Sequence, residues 1–331
     1  MSTTTFAQGA NPGLTNTMQI FYDRVFLERA KTELRHDFGA QVKNVPMNSG
    51  KVIYFTRFTP LALQTTALSE AANPTAIDMS ATTISATLAD YGGYTTVGSL
   101  YSMTSIESGL SEHVSIHGQN AGETIDRLIR TELVTGATNM LVSTSTGGAA
   151  GSTTAVSTIH TSDTLTGLEV RRVVRALKKN KAMRFDGAMY RAIIGPDTAM
   201  DLMGNSEWLD AHRYTTADAI ERGVVGKLHG CEFVETNDQH YTLSAGFSTS
   251  ATNVANVYSN FFFGKEAYGV INLGSIRAPK VYVKNPGANS TDNPIDQFST
   301  VGWKMPFATK TLNANWLINL KTGATDGFNA A

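Results

Sequence analysis

The spacing of apolar residues along the chain predicts three amphipathic helices. Apolar side chains recur every three or four positions between Leu14 and Phe38, between Ser111 and Leu141, and again from Thr166 onward. This is the period at which side chains share one face of an α-helix. The segment Thr166–Glu169 also has the Thr-x-x-Glu spacing of a capping box, which predicts that the third helix begins there.

Glycine interrupts the second helical pattern at positions 118, 122 and 136. Each glycine weakens a helix by about 1 kcal/mol relative to alanine. Such a cost is tolerated mainly where another backbone has to approach closely. We therefore expect a second chain segment to pack against this helix at Gly118, Gly122 and Gly136.

Short runs rich in β-branched and aromatic residues predict strands. They cover Lys51–Thr59, Thr82–Leu88, Tyr94–Val97, Met189–Ile194, Cys231–Glu235, Val257–Phe263, Lys280–Lys284 and Thr300–Leu320. Between the first two runs, residues 61–80 carry little charge and include Asn73-Pro74, so we expect the tip of a protruding hairpin. Such a hairpin has no core of its own and needs a partner. Because the pattern shows neither a repeat nor regular βαβ units, the predicted fold class is α+β.

The overall composition is that of a folding chain with balanced charge. The 331 residues include 27 Lys and Arg and 28 Asp and Glu, with a formal net charge of −1 and a hydrophobic fraction of 41%. Intrinsic disorder is excluded, because it needs low hydrophobicity and high net charge. Any contact with a nucleic acid has to be local, because no bulk positive charge is available. No apolar run approaches the roughly 18–20 residues that span a bilayer, so no membrane segment is predicted.

The sequence offers little catalytic chemistry. A P-loop, a dinucleotide fingerprint and a Gly-x-Ser-x-Gly elbow are all missing from it. His113 and His117 stand four apart on the second helix, a spacing that lets two imidazoles bind one metal ion. A metal-dependent enzyme is therefore one alternative, although two half-exposed histidines also explain the pair. The single Cys231 lies two residues from His229 without an evident orienting group, so we expect a buried cysteine. No cofactor is predicted.

A basic cluster lies in the third helix and its exit. It consists of Arg171, Arg172, Arg175, Lys178, Lys179, Lys181 and Arg184. The cluster has the charge to contact a nucleic acid, although no aromatic residues are interleaved with it. It also fits an exposed helix face that is answered by acidic groups of a neighbouring subunit. A nucleic-acid-binding protein acting through residues 171–184 is therefore a second alternative.

The order of several segments resembles the major capsid proteins of tailed bacteriophages. These segments are Phe21–Ala30, Lys51–Phe58, Thr82–Tyr94, Ala121–Arg127, Tyr190–Pro196, Gly226–Glu235, Phe263–Gly269 and Val301–Lys304. No single segment is as specific as a metal-binding cysteine pattern, but together they recur in order over nearly the whole chain.

The resemblance implies the Hong-Kong-phage capsid fold. A subunit of that fold has an N-terminal arm, an extended E-loop, a peripheral P-domain with a long spine helix, and an axial A-domain. For this sequence it implies an arm with an amphipathic helix at 1–50 and an E-loop hairpin at 51–100. It further implies a P-domain with the spine helix at 101–145, an A-domain at 146–276, and P-domain return strands at 277–331.

The function implied by the resemblance is that of a major capsid protein and not of an enzyme. Such a protein self-assembles through pentamers and hexamers into an icosahedral head that encloses double-stranded DNA. It would be found in the virion, after assembly in the host bacterial cytoplasm. The implied partners are further copies of the chain, a portal protein and the packaged DNA. A decoration or cement protein and a separate scaffolding protein are further candidates, and no membrane is involved.

Two sets of side chains are expected to contact neighbouring subunits. The E-loop set is Leu61, Leu63, Leu68, Ile77 and Met79, and the arm set is Phe21, Tyr22, Val25 and Phe26. The apolar face of the arm helix has no sequence-adjacent partner, so we expect its burial between subunits. The basic cluster is expected to face either the DNA or a neighbouring subunit of the capsomer.

The resemblance also bears on covalent cross-linking. In the founding member of the fold, a lysine on the E-loop forms an isopeptide bond with an asparagine of a neighbouring subunit. In this sequence no lysine lies between Lys51, at the base of the predicted hairpin, and Lys178. We therefore expect a shell that is not covalently chained.

Overall fold

Helices and strands of the chain combine into a mixed fold. A computed structural model describes residues 16–325 apart from 49, 60, 62, 66, 68–75, 105–108, 143–154, 186–188, 214–225, 244, 247–254, 274–277 and 285–296. The helices are α1 (Asn16–Glu33), α2 (Ser99–Thr104), α3 (Gly109–Gly136), α4 (Gly167–Lys179), α5 (Pro196–Met203) and α6 (Ser206–Arg213). The α+β class expected from the sequence is confirmed.

The strands form three sheets. In chain order they are β1 (Gln41–Val45), β2 (Val52–Phe58), β3 (Ala81–Thr87), β4 (Ala89–Gly98), β5 (Thr138–Leu141), β6 (Tyr190–Ile194), β7 (Lys227–Leu228), β8 (Cys231–Glu235), β9 (Tyr241–Thr242), β10 (Val257–Phe263), β11 (Tyr268–Leu273), β12 (Lys280–Lys284), β13 (Phe298–Thr311) and β14 (Leu317–Thr322). A five-stranded sheet has the order β1-β11-β13-β12, with β4 also paired to β13. A seven-stranded sheet has the order β5-β14-β10-β6-β8-β7, with β9 paired to β10, and β2 and β3 form a separate hairpin.

The seven-stranded sheet is covered by helices on both faces. Successive strand residues point to opposite faces, so Ile193 and Phe261 pack with the buried side chains of α3. Ala192, Ile194 and Phe262 pack on the other face with α4, α5 and α6. Among the described residues, no helix combines the length and the apolar character that crossing a bilayer requires.

Three predicted boundaries are wrong. The first helix was expected to continue to Phe38, but α1 ends at Glu33. The second helix was expected to continue to Leu141, but α3 ends at Gly136 and the next residues form β5, which pairs in parallel with β14. The run Thr300–Leu320 was expected to be one strand, but it is two strands in different sheets. The chain turns between them at Asn313, whose side chain accepts a hydrogen bond from the backbone N–H of Asn315.

The predicted start of the third helix is confirmed, but the predicted capping box is wrong. Thr166 is the N-cap residue of α4, with an extended backbone and no cap hydrogen bond from its side chain. Oε2 of Glu169 lies 2.5 Å from Arg172 Nη1 and forms a buried ion pair there. The hydrophobic face of α4 fixes the helix instead, since Val170, Val173 and Leu177 are fully buried.

The glycines of α3 mark where α1 packs. A Cβ atom on Gly118 would lie 2.6 Å from the carbonyl oxygen of Phe26, and one on Gly122 would lie 2.6 Å from that of Ala30. The close backbone approach expected at these two positions is confirmed. At Gly136 the neighbour is different, because the side chain of Thr311, not a backbone, occupies the space.

Candidate interaction surfaces

The tip of the β2–β3 hairpin exposes apolar side chains. A hydrogen bond of 2.9 Å from Thr59 N to Ser80 O extends the ladder toward the tip. The described tip residues of the expected E-loop set are all exposed, and Leu63 is 86% exposed; the set comprises Leu61, Leu63, Ile77 and Met79. Leu68 lies outside the described residues. Contact of these side chains with a neighbouring subunit stays a prediction.

The base of the hairpin is anchored within the subunit. Ile53, Phe55 and Ala86 are buried in one cluster with two residues from the region of the five-stranded sheet. These are Ile271 of β11 and Leu312, which directly follows β13. The expectation that the hairpin has no core of its own is therefore wrong for this half. The physical reason is the two-residue period of β2, which points alternate side chains at the sheet and leaves the others, such as Tyr54, exposed.

The arm helix α1 finds its partner within the chain. Tyr22 and Phe26 are buried in the cluster that also holds Val114 and Ile125 of α3. The expectation that the apolar face of α1 lacks an intramolecular partner is therefore wrong, and these two side chains are not free for another subunit. Val25 is half-buried, and Phe21 is 54% exposed on the outer side of the helix. Contact of these two residues with a neighbouring subunit stays a prediction.

A buried carboxylate fixes the segment that follows α1. Asp126 Oδ1 accepts hydrogen bonds from the backbone N–H groups of Arg35 at 2.8 Å and His36 at 2.7 Å. Its Oδ2 lies 2.6 Å from Nδ1 of His36, and both side chains are buried. Tyr268 donates its hydroxyl to the carbonyl oxygen of His36 at 2.7 Å. Burial raises the pKa of Tyr268 and so keeps this donor protonated.

Stacking reinforces the same segment. The guanidinium of Arg191 lies 4.0 Å from the ring centroid of Phe38 and 4.4 Å from that of Phe185. The Arg191 Nε atom is also 3.4 Å from Glu232. Sequence reasoning missed these residues and Asp126, because each is a single polar or aromatic residue whose partner is distant in the chain.

A second exposed apolar surface lies on the short helix α2. Leu100, Tyr101 and Met103 are exposed, with Met103 at 83%, and Tyr94 on β4 is exposed as well. This surface was not among those expected from the sequence. The signal was present as three large apolar residues within six positions, but a helix of this length has too few turns to reveal which face is buried.

Two residues of the basic cluster form ion pairs within the chain. Arg171 pairs with Glu207 at 2.8 Å and Arg172 pairs with Glu169. The expectation that the cluster is answered by acidic groups of another subunit is therefore wrong for these two residues. Arg184 lies over the ring of Tyr190 at 5.7 Å. In the part of the chain that the structure describes, no ion pair forms at the four remaining residues, all exposed: Arg175, Lys178, Lys179 and Lys181.

His113 and His117 do not gather further ligands. Nε2 of His117 lies 2.9 Å from the hydroxyl of Thr95. Burial lowers the pKa of His117, and the nearby His113 lowers it further. Among the described residues, no group of three or more His, Cys, Asp or Glu side chains is arranged to hold a metal ion.

Cys231 is buried, as the sequence predicts. Burial raises its pKa to about 12, so the thiol stays protonated at neutral pH. His229 lies in the turn between β7 and β8, with a φ of 48°. Its ring Nε2 lies 3.0 Å from Glu207.

Solved structures resemble this arrangement over nearly the whole chain. A chain of the cyanophage Pam1 capsid asymmetric unit matches with a TM-score of 0.65 and 14% identity, covering 98% of each chain. The capsid of Ralstonia phage GP4 matches with a TM-score of 0.66 and 13% identity, covering 89% of this chain and 92% of the other. The capsid of Helicobacter pylori bacteriophage KHP30 matches with a TM-score of 0.59 and 11% identity, covering 85% and 87%. No protein-family model and no curated protein matches the sequence.

The chain has the Hong-Kong-phage capsid fold. The resemblance seen in the order of sequence segments is therefore confirmed at the level of structure. Within the capsid fold, the hairpin of β2 and β3 corresponds in chain order to the expected E-loop and α3 to the expected spine helix. The identity of 11–14% in these three comparisons means that the likeness lies in the packing of elements and not in shared side chains.

Proposed function

We propose that this chain is a major capsid protein. It would self-assemble through pentamers and hexamers into an icosahedral head that encloses double-stranded DNA, and its role would be structural and not catalytic. The observation that carries this proposal is the match in fold to phage capsid subunits over nearly the full length of both chains. In this reading the protein resides in the virion.

The exposed hairpin tip supports the proposal physically. The tip carries apolar side chains away from the anchored base, where a single subunit cannot bury them. Each side chain of the size of leucine is worth about 1.5–3 kcal/mol when it is fully buried. Contacts of modest size, repeated by every copy, give a closed shell high overall stability. The tip of one copy would contact a different surface of the next copy, and heterologous contacts of this kind form rings.

The domain organisation of the capsid fold is part of the proposal. We assign the arm to residues 1–50, the E-loop to 51–100, the spine-helix part of the P-domain to 101–145, the A-domain to 146–276 and the return strands to 277–331. Copies of the chain are the principal partner, and a portal protein, the packaged DNA, a decoration protein and a scaffolding protein are the further partners proposed.

Negative-stain microscopy of the purified full chain tests the proposal. We expect rings or closed shells from the wild-type chain. Replacing Leu63 by Asp at the hairpin tip should prevent them, whereas Gln64→Asp, which adds the same charge at an exposed polar neighbour, should leave them intact. A chain that stays monomeric would contradict the proposal. Monomers that shift the mobility of DNA in a gel would contradict it as well and would favour a nucleic-acid-binding protein.

A further inference from the structure

The helix α4 packs on one face of the seven-stranded sheet, and both of its ends lie near the amino ends of strands. The strands β5, β14, β6 and β8 all run in the same direction, because β10 is antiparallel to both β6 and β14 while the remaining pairs are parallel. At its start, α4 meets the turn before β8, where Gly167 packs against His229. At its end, Asn180 donates a 2.9 Å hydrogen bond to the carbonyl oxygen of Asn315, just before β14. The helix therefore crosses this face of the sheet near the amino ends of these strands.

The outer face of α4 carries three exposed cations that we name the basic stripe: Arg175, Lys178 and Lys179. Residues three and four apart in a helix are neighbours on its surface. The residues that the structure describes provide no carboxylate in an ion pair with any of the three. The stripe is therefore a concentrated positive charge near the amino ends of these strands.

An acidic groove lies at the opposite end of the same strands. Its volume is about 510 Å³, and its lining includes Glu235, the last residue of β8. Five carboxylates and two guanidinium groups line it; they belong to Glu33, Glu123, Asp126, Glu235, Asp238, Arg35 and Arg127.

Two of these carboxylates are already engaged within the chain. Asp126 binds His36, and Asp238 lies 2.6 Å from Nη1 of Arg130. The carboxylates of Glu33, Glu123 and Glu235 form no ion pair with any described residue, and Glu123 and Glu235 are exposed. Glu123 accepts a 2.8 Å hydrogen bond from Nε2 of Gln119, and Arg35 adds a guanidinium to the same lining. The charge of the groove is therefore negative on balance, opposite in sign to that of the stripe.

We propose that the basic stripe of one copy docks into the acidic groove of the next copy. This inference rests on the proposed function and names the contact that joins neighbouring subunits at the seven-stranded sheet. The stripe lies on α4, near the amino ends of the strands, and the groove lies at the carboxyl end of β8. The contact is therefore head-to-tail, and each copy offers a free surface for another. Such a heterologous contact closes into a ring when the rotation between copies allows it. Charge complementarity also fixes the register and accelerates the encounter of subunits.

Charge reversal and its compensation test the docking. Arg175→Glu with Lys178→Glu reverses the stripe, and Glu123→Lys with Glu235→Lys reverses the groove. All four positions are exposed, so we expect unchanged unfolding midpoints of the monomer. Each paired variant should raise the threshold concentration for particle assembly about tenfold or more in nuclease-treated protein near 0.1 M salt. The variant with all four substitutions should return the threshold to within about threefold of the wild type.

A matched control addresses net charge. Lys280→Glu with Lys284→Glu makes the same change on β12 of the other sheet and should leave the threshold within about threefold of the wild type. An equal effect of this control, or a variant with four substitutions that assembles no better than either pair, would overturn the docking.

Normal empty shells of the stripe variant that fail to retain DNA would overturn the docking in favour of a nucleic-acid contact. If the wild-type chain forms no particles, the proposed function fails and the docking falls with it; if particles form with a threshold insensitive to all variants, the docking alone fails.

Discussion

Nδ1 of His36 lies 2.6 Å from Oδ2 of Asp126, and both residues are buried. The pair joins the segment after α1 to the middle of α3, across 90 positions of sequence. The other oxygen of the same carboxylate accepts two backbone N–H groups. One side chain therefore determines where the arm enters the rest of the subunit.

Replacing Asp126 by Ala should strongly destabilise the subunit. The change leaves the backbone N–H groups of Arg35 and His36 without their acceptor, and each buried polar group left unsatisfied costs about 1–3 kcal/mol. Denaturant unfolding of the monomer measures the loss. Asp90→Ala is the matched control, because Asp90 pairs with Lys304 at 3.0 Å with both side chains largely exposed, and such pairs contribute about 0–1 kcal/mol. An equal decrease in the free energy of unfolding in the two variants would show that Asp126 stabilises the subunit no more than an exposed ion pair does.

Substitutions on the two faces of α1 should have different effects, one on folding and the other on assembly. Phe26→Ala removes a fully buried side chain and should lower the free energy of unfolding by about 3–5 kcal/mol. Phe21→Ser changes an exposed side chain, so the monomer should keep its stability while particle yield falls.

Removing residues 1–35 should destabilise the subunit itself, because the loss of α1 uncovers the apolar face of α3. A truncated chain with wild-type stability would contradict the packing of α1 on α3.

Gly122→Ala should push α1 away from α3. Its new methyl group would meet the carbonyl oxygen of Ala30 at 2.6 Å, and overpacking of this kind costs about 1–3 kcal/mol, against a gain of about 1 kcal/mol in helix propensity. We expect a net loss of stability in denaturant unfolding. Gly93→Ala, where a Cβ atom meets nothing within 4 Å, should be close to neutral. A stabilised Gly122→Ala variant would mean that the helices are not in close contact there.

Burial of His117 should make the subunit less stable in mild acid. Its pKa in the folded chain lies below the ordinary value of 6.5, so the unfolded chain binds this proton more readily. The associated stability is complete above about pH 6.5 and is lost as the pH falls from there toward the folded pKa. The decrease in Tm between about pH 7 and pH 5 should therefore be smaller in His117→Gln, whose amide can keep a hydrogen bond to Thr95. Identical pH profiles would exclude this role.

Mature particles should not be covalently chained. The exposed hairpin tip offers no amine, since no lysine occurs between Lys51 and Lys178. Boiling particles in detergent under reducing conditions should give a single band near 35.6 kDa. A ladder of covalent multimers in that gel would refute the expectation.

The sequence by itself determined the local features of this protein. The three-and-four spacing of apolar residues specified α1, α3 and α4, and alternating β-branched residues specified the strands, because both patterns follow from backbone geometry over a few residues. The glycines at 118 and 122 indicated a close backbone approach, and the weakly charged, lysine-free segment 61–80 indicated a hairpin tip. The order of these features along the chain was enough to suggest the capsid fold.

Only the tertiary structure decided what each apolar or charged face meets. Periodicity predicts that Tyr22 and Phe26 are buried. Burial against α3 and burial against another subunit remove the same apolar surface from water and give a similar gain in free energy, so the local pattern cannot distinguish these two partners. The partner of Asp126, the division of residues 300–320 between two sheets, and the opposite positions of the basic stripe and the acidic groove likewise depend on contacts between distant segments. Those contacts exist only once the strands have paired.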